Sequence, residues 1–504
     1  MALTFPDVLT RLQQFFPAET PVYLVGGAVR DAILQREVKD LDFALSGDVL
    51  GTARRLANAI HAAYYPLDES RDTARLILPM PDGGRLVLDF AALRGPDLES
   101  DLRLRDFTMN AMALPLHALD QLVDPLGGLE DLRRGVLRAC SDSAMQDDPL
   151  RVLRGIRLAN ANRWFIQAET RGSMRRALPN LAQVSPERVR DELFHILEGP
   201  RPATAIETLE IMGGIPYVLP ELAELKGVEQ SAPHVRDVWG HTLDVVRGLE
   251  ALLGTLELEF NPENTTSLYL GLVSVRLGRY RQQLHDHMVH PLNPNRSPRA
   301  LLYLAALYHD SGKPATRRQA PDGRVRFLEH EMLGEKLVNR RGQALHLSND
   351  EIDRLRIVVR HHMRPLLLAQ MEGLPSRRAI YRFFRDTGPA GVDICLHALA
   401  DTLATYGPSL SQDTWMRQLN IARSLLEAWW EHPEESVAPP ALLDGHALMQ
   451  AFDLKPGPQI GRLLDALREA QATGQVTDRQ QALEFTRQLL ETNAAASDPD
   501  SSLP

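Results

Sequence analysis

Residues 24–45 read LVGGAVRDAILQREVKDLDFAL, and the order of residue types within them decides the fold. With the two residues before it, VYLVGG is an apolar strand running into a glycine turn. AVRDAILQ has helical spacing and opens on that turn, and DLDFAL alternates as a second strand. Downstream, ARLILPM and RLVLDFAAL read as a third and fourth strand, separated by a turn at Asp82-Gly83-Gly84. Strands and helices alternating in this way predict a small mixed-sheet head.

The second strand carries the first chemical signal. Residues two apart on a strand point to one face, so Asp40 and Asp42 project together. Two clustered carboxylates are costly without a cation between them. Nucleotidyl-transfer enzymes use such a strand-borne pair to hold two Mg²⁺ ions about 4 Å apart. A DxD pair alone is common. Here it follows Gly26-Gly27, whose bare backbone N–H groups open a helix and suit a phosphate. Arg30, on the first turn of that helix, is placed to reach the same anion. Asp89, in VLDFAAL, is the candidate third carboxylate.

The string resembles the signature of the tRNA nucleotidyltransferase and bacterial poly(A) polymerase family, the bacterial-type (class II) members of the DNA polymerase β superfamily. Four further stretches continue the resemblance in order. LRLRDFTMNAMA is similar to the ribose-selecting motif, VDPLGGLEDLRRGVLRAC to the hinge, DDPLRVLRGIRLA to the nucleotide-selecting motif and ERVRDELFHIL to the neck. LLDGHALMQAFDLKPGPQIGRLLDALREAQ resembles the family's C-terminal segment. The resemblance implies addition of C, A or both from CTP and ATP to a tRNA 3′ end, without a template. It implies Asp40, Asp42 and Asp89 as catalytic carboxylates with Mg²⁺ on the first two. It also implies that Arg105, Asp106 and Asn110 contact the ribose and phosphates. The usual double arginine is broken by Leu104, so only Arg105 is carried over.

The selecting motif has a logic of its own. Asp148, Arg151, Arg154 and Arg157 recur every third residue, so neighbours share a helix face. Cytosine and adenine each present an amino donor beside a ring-nitrogen acceptor, which a carboxylate and a guanidinium side by side complement. Guanine and uracil present the reverse order. By resemblance, Asp148 and Arg151 read the base, while Arg154 and Arg157 lie nearer the phosphates.

Between Arg94 and Arg105 lies only GPDLESDLRL, where the family usually has a flexible loop. By family analogy that loop helps to switch the pocket from C to A. The short connection therefore leaves CC-only addition open beside full CCA addition and biases the expectation toward C.

From about Ser141 nearly everything has helical period, with Asp148-Pro149 and Ser185-Pro186 as helix starts. His241, His309-Asp310, His361-His362 and Asp401 form a second constellation suited to divalent ions. An adjacent His-Asp pair ending the apolar LLYLAALYHDSGKP resembles the HD phosphohydrolase superfamily. The resemblance implies ligands His241, His309, Asp310, His330, His361 and Asp401, with His362 behind them, and a water activated against phosphate esters. SRRAIYRFFRD, from Ser376, reads either as a tRNA-phosphate contact or as an amphipathic helix with a basic face.

The chain has 504 residues, 44% apolar and 24% charged, with net charge −10. That length implies roughly three or four domains. The expected class is α+β, a polymerase-β-like mixed-sheet head followed by an all-helical neck, HD body and C-terminal unit. The expected boundaries are 1–140, 141–225, 226–410 with an insertion or long loop near 256–297, 411–493, and a disordered 494–504. MALTFPDVLTRLQQFF does not read as a signal peptide, and no run approaches the ~20 apolar residues that span a bilayer. With Cys140 and Cys395 far apart, the composition fits a cytoplasmic protein with reduced thiols. A local basic site on an acidic chain still allows one RNA end to bind. The rival readings are a poly(A) polymerase, disfavoured by the acidic chain, and an HD metallophosphohydrolase whose head only binds RNA.

Overall fold

In the second strand, Leu41, Phe43 and Leu45 are buried, while Asp40 and Asp42 face the other way, as two-residue alternation requires. Around this strand a computed structural model builds a six-stranded sheet. It describes residues 3–38, 40–80, 84–259, 261, 267–293 and 296–496. The strands are β1 (Val22–Val25), β2 (Asp40–Leu45), β3 (Ala63–Asp68), β4 (Thr73–Pro79), β5 (Arg85–Ala92) and β6 (Ala113–Pro115). Their order is β3-β4-β5-β2-β1-β6. Only β2 and β5 pair in parallel; the other neighbours are antiparallel. Phe43 and Phe90 stack with centroids 4.8 Å apart, which helps lock the β2–β5 register.

The glycine turn behaves as its residues dictate. Gly26 has φ +77, a left-handed conformation that side chains avoid, and the helix Gly27–Ile33 follows at once. The four expected strands and this helix are present. The middle of the expected turn, Asp82-Gly83, lies outside the described residues.

The chain forms two compact units, Met1–Val218 and Leu219–Pro504. The first continues from the sheet into helices, of which Arg151–Asn162 and Pro186–Glu198 carry the selecting and neck motifs. Pro186 sits at the first helical position, as expected. Among the described residues, the regular structure of the second unit is helical apart from a short hairpin, Arg317–Gln319 with Val325–Phe327. Its longer helices include Val238–Thr255, Pro298–Tyr308, His330–Ala344, Asn349–His361, Ala390–Tyr406 and Gln412–Trp430.

The stretch 256–297, expected as an insertion or long loop, holds helices Leu268–Leu277 and Arg281–Val289 over much of its length. Exposed Leu268 and Val275 blur the apolar stripe of the first, which hid its period. The last helix, Arg479–Ala496, runs past Asn493, and the rest of the expected tail lies outside the described residues. Residues near the C-terminus have their own small core, including Leu448, Leu463 and Leu467. Among the described residues, no helix is long and apolar enough to cross a membrane.

Candidate active site and metal centre

In the first unit, Asp40 and Asp42 lie on β2, and Asp89 is the register partner of Asp42 on β5. Partners across a pair share a face, so these carboxylates crowd together. Burial, then the charges of Asp89 and Asp40, push the Asp42 carboxyl up to about 6 despite Arg105. Asp89 is gripped by Arg75 of β4, whose Nε and Nη2 each donate at 2.8 Å. A Cβ on Gly26 would lie 3.0 Å from Asp42 Oδ2 and 3.5 Å from Arg105 Nη1. The turn therefore needs glycine where it passes the carboxylate and the guanidinium.

Arg30, placed on the helix after this turn, donates to Asp31 and, at 2.7 Å, to Asn110 Oδ1. Asn110 donates to Asp106 at 3.2 Å, and Asp106 also accepts from the Phe107 N–H. Arg154 reaches both Asp106 and Glu192, and Arg157 donates to Glu192 at 2.9 Å. One continuous network thus joins the ribose-motif residues to the selecting helix. Burial alone would raise Asp106, but Arg154 and these N–H donors hold it below the usual carboxylate range.

Arg105 is clamped by Asp101, which accepts from its Nε and Nη2 at 3.0 and 2.9 Å. Asp101 also accepts from Arg94 Nε at 2.9 Å and is 1% exposed. The short connection after Arg94 is therefore a helix, Leu98–Arg103, capped by Asp97 and pinned from inside by Asp101. Arg151 donates to the backbone carbonyls of Leu104, Arg105 and Ala144. Asp148 accepts from Arg188 at 2.8 Å and from the Leu150 N–H.

Sequence reading passed over Asp101, Glu192, Arg188 and Arg75. Asp101 stands one helical turn before Arg105, while Glu192 and Arg188 lie within the neck motif, so local spacing pointed to all three. Arg75 becomes visible only through strand pairing.

In the second unit, two trios of side chains converge. His241, His309 and Asp401 form one; Asp310, His330 and His362 form the other, all buried. The nitrogens and oxygens that each trio offers lie within 4.8 Å of one another. Asp310 stands between them: Oδ2 is 3.1 Å from His309 Nε2 and 3.6 Å from His241 Nε2, while Oδ1 is 3.3 Å from His330 Nε2. His309, His330 and His362 direct Nδ1 to the carbonyls of Ala306, Phe327 and Val359. That orients Nδ1 as donor and turns Nε2 inward, the atom that a metal-binding histidine would present to an ion. His241 Nε2, His309 Nε2 and Asp310 Oδ2 are buried and make no well-aligned hydrogen bond among the described residues, although His241 Nε2 lies 3.1 Å from Asp401 Oδ1. Such buried ligand atoms facing one another fit a divalent ion. The Lys313 ammonium lies 2.6 Å from Asp310 Oδ2. With His309, it holds Asp310 well below its ordinary range against the opposing burial. A cavity of 540 Å³ reaches Asp310, His330 and Asp401 past Lys313, Arg326, Phe327 and Arg417.

The expected ligand His361 lies outside both trios, and its neighbour His362 stands in the second. His361 ends the Asn349–His361 helix among Arg364, Arg360 and Asp386, whereas His362 is 0% exposed within the second trio. Successive helical residues point about 100° apart, so only one of two adjacent histidines can face the centre. The SRRAIYRFFRD stretch is an amphipathic helix with Phe383 and Phe384 buried; Arg378 and Arg382 both pair with Glu469.

Carboxylates on β2 beside a glycine turn, with arginines on a following helix, define a nucleotidyltransferase of the polymerase β type. Matching family models are the Poly A polymerase head domain over residues 22–138 and the HD domain over 238–401. A tRNA nucleotidyltransferase domain 2 model matches residues 440–486. The A-adding tRNA nucleotidyltransferase of Deinococcus radiodurans is 35% identical over 93% of this chain and 95% of its own. The CC-adding enzyme of Thermus thermophilus is 32% identical over 93% and 94%. A solved CCA-adding enzyme of Thermotoga maritima with tRNA shares the fold at TM-score 0.57 and 20% identity, covering 97% of this chain and 96% of its own. The chain belongs to the tRNA nucleotidyltransferase family.

Proposed function

We propose that the first unit transfers nucleotides from CTP or ATP to the 3′ hydroxyl of tRNA, releasing pyrophosphate. The observation that carries this reading is the Asp40, Asp42 and Asp89 cluster beside Gly26 and Arg105. Asp40 and Asp42 would hold Mg²⁺, which activates the attacking hydroxyl and neutralises the triphosphate. Arg105, fixed by Asp101, and the network from Arg30 to Arg157 orient ribose and phosphates. Asp148 and Arg151 offer the acceptor and donor that match C and A. The relatives matching over nine tenths of the chain are named for tRNA, which favours tRNA over poly(A) as product.

The pinned Leu98–Arg103 helix supports addition of one kind of base, not a switch from C to A, because one arrangement is over-determined. The relatives that match over nine tenths of the chain at 30–35% identity are named A-adding and CC-adding and favour the same reading, while those named as multifunctional CCA proteins at similar identity match about two thirds of it. Purified protein with labelled CTP or ATP and tRNA lacking its last three, two or one nucleotides tests it. Addition of only C or only A is expected; complete CCA on the shortest tRNA would overturn the single-base reading, and no addition to any would overturn the transfer itself.

In the second unit, His241, His309 and Asp401 with Asp310, His330 and His362 would hold divalent ions, which supply an activated water for phosphate-ester hydrolysis. Lys313 and Arg326 beside the cavity suit the ester's charge.

A further inference from the structure

The two trios do not exhaust the buried imidazoles of the second unit. His397 lies on the Ala390–Tyr406 helix four residues before Asp401, so both side chains leave one helix face. It is 0% exposed, and neither Nδ1 nor Nε2 has a hydrogen-bond partner among the described residues. Its helix neighbours Ile394, Cys395, Leu396, Ala398 and Leu399 are buried and apolar. A leucine or phenylalanine would fill that space without burying two unsatisfied polar atoms, so packing alone does not account for a histidine here.

The position of the ring does account for it. The His397 centroid is 4.7 Å from that of His309 and 5.6 Å from that of His362. Within the trios, His241 and His309 are 5.4 Å apart and His330 and His362 are 5.3 Å apart. The inclinations also match: 62° and 74° for His397 against 59° and 65° inside the trios. His397 therefore packs against one ring of each trio at about the spacing that separates His309 from His362 across the two trios, 5.2 Å.

We propose that His397 is a further metal ligand of this centre, giving a ring nitrogen to the ion held by His241, His309 and Asp401. Its nearest ring, His309, and its helix partner, Asp401, both belong to that trio. The inference rests on reading the trios as a metal centre.

The test uses the full chain, stripped with a chelator and titrated anaerobically with Co²⁺. Bound ions per chain, visible absorption and competition with a chelator are read for the parent, His397→Phe and His397→Gln. Loss of a ligand should weaken one ion by at least about tenfold and change its absorption. The metal-free melting temperature of His397→Phe should stay the same or rise, because an unsatisfied imidazole is replaced by an apolar ring. Unchanged stoichiometry, affinity and absorption in His397→Phe would overturn the inference and leave the trios standing. Metal loss accompanied by a lower metal-free melting temperature in both variants would assign the effect to packing and equally overturn it. If His397→Phe does not fold, His397→Gln decides by the same readings. A parent that binds no Co²⁺ would remove the metal centre itself.

Discussion

Asp42 and Asp89 are register partners across the parallel β2–β5 pair, yet only Asp89 is held by a bidentate arginine, Arg75. Asp42 is left with a carboxyl raised to about 6 by burial and by the charge of Asp89. The folded chain therefore holds this proton more tightly than the unfolded one. The stability so gained is fully present below about pH 4 and is lost as pH rises through about 6.

Asp42→Asn removes that ionisation. At pH 7 and without metal it should stabilise the protein by on the order of 1–3 kcal/mol, with little gain at pH 4. Nucleotide addition should be abolished in the same variant, and in Asp40→Ala. Chelator-treated samples melted at both pH values give the first result and a primer-extension assay the second. A less stable Asp42→Asn at pH 7 would contradict the buried-charge argument, and addition at a tenth of the parent rate would remove Asp42 from catalysis.

Much of this head was legible because chemistry and periodicity coincide in DLDFAL, where alternation reports the buried face and the carboxylates at once. β3 was missed because Tyr65 and Leu67 are exposed and Pro66 interrupts the run, so no buried face marks it. β6 is only three residues and begins at Ala113, the last residue of a motif already assigned another role. Adjacent His361 and His362 could not be told apart without the helix phase, and His397 was lost in a uniformly apolar helix. Pairings such as Arg75 with Asp89 depend on strand order, which local spacing does not contain.

Glu192 is 6% exposed and serves Arg154 and Arg157 together. Glu192→Ala would leave two guanidiniums without their buried partner. Both arginines are about a third exposed, so water recovers part of the loss. A destabilisation of about 1–3 kcal/mol is expected, together with a raised KM for the nucleotide. Denaturant melts and steady-state kinetics check both; an unchanged KM would place the pair outside the binding site.

Asp148→Ala and Arg151→Ala should relax base choice and not merely slow addition. A lost donor–acceptor match is worth on the order of 1–3 kcal/mol against the wrong base. Arg151 already gives donors to three backbone carbonyls, so its variant should also loosen the Leu104–Arg105 segment and slow addition more than the Asp148 variant. Competition between CTP or ATP and UTP or GTP measures the choice. If both variants still reject UTP and GTP as well as the parent does, base selection lies elsewhere.

The two adjacent histidines separate ligand from neighbour at the second centre. His362 Nε2 lies 3.4 Å from His330 Nε2 and 4.0 Å from Asp310 Oδ1, while His361 faces Arg364 and Asp386. His362→Ala should therefore lower bound metal and metal-dependent phosphodiester hydrolysis by at least about tenfold, as should His309→Ala and Asp310→Ala. His361→Ala should leave both close to the parent. Nucleotide addition should persist in all four variants, because its carboxylates and arginines lie in the other unit. Elemental analysis and hydrolysis of a model phosphodiester on the same preparations give the comparison. Metal loss in His361→Ala with retention in His362→Ala would reverse the assignment, and hydrolysis surviving in Asp310→Ala would remove the carboxylate that stands between the two trios from the reaction.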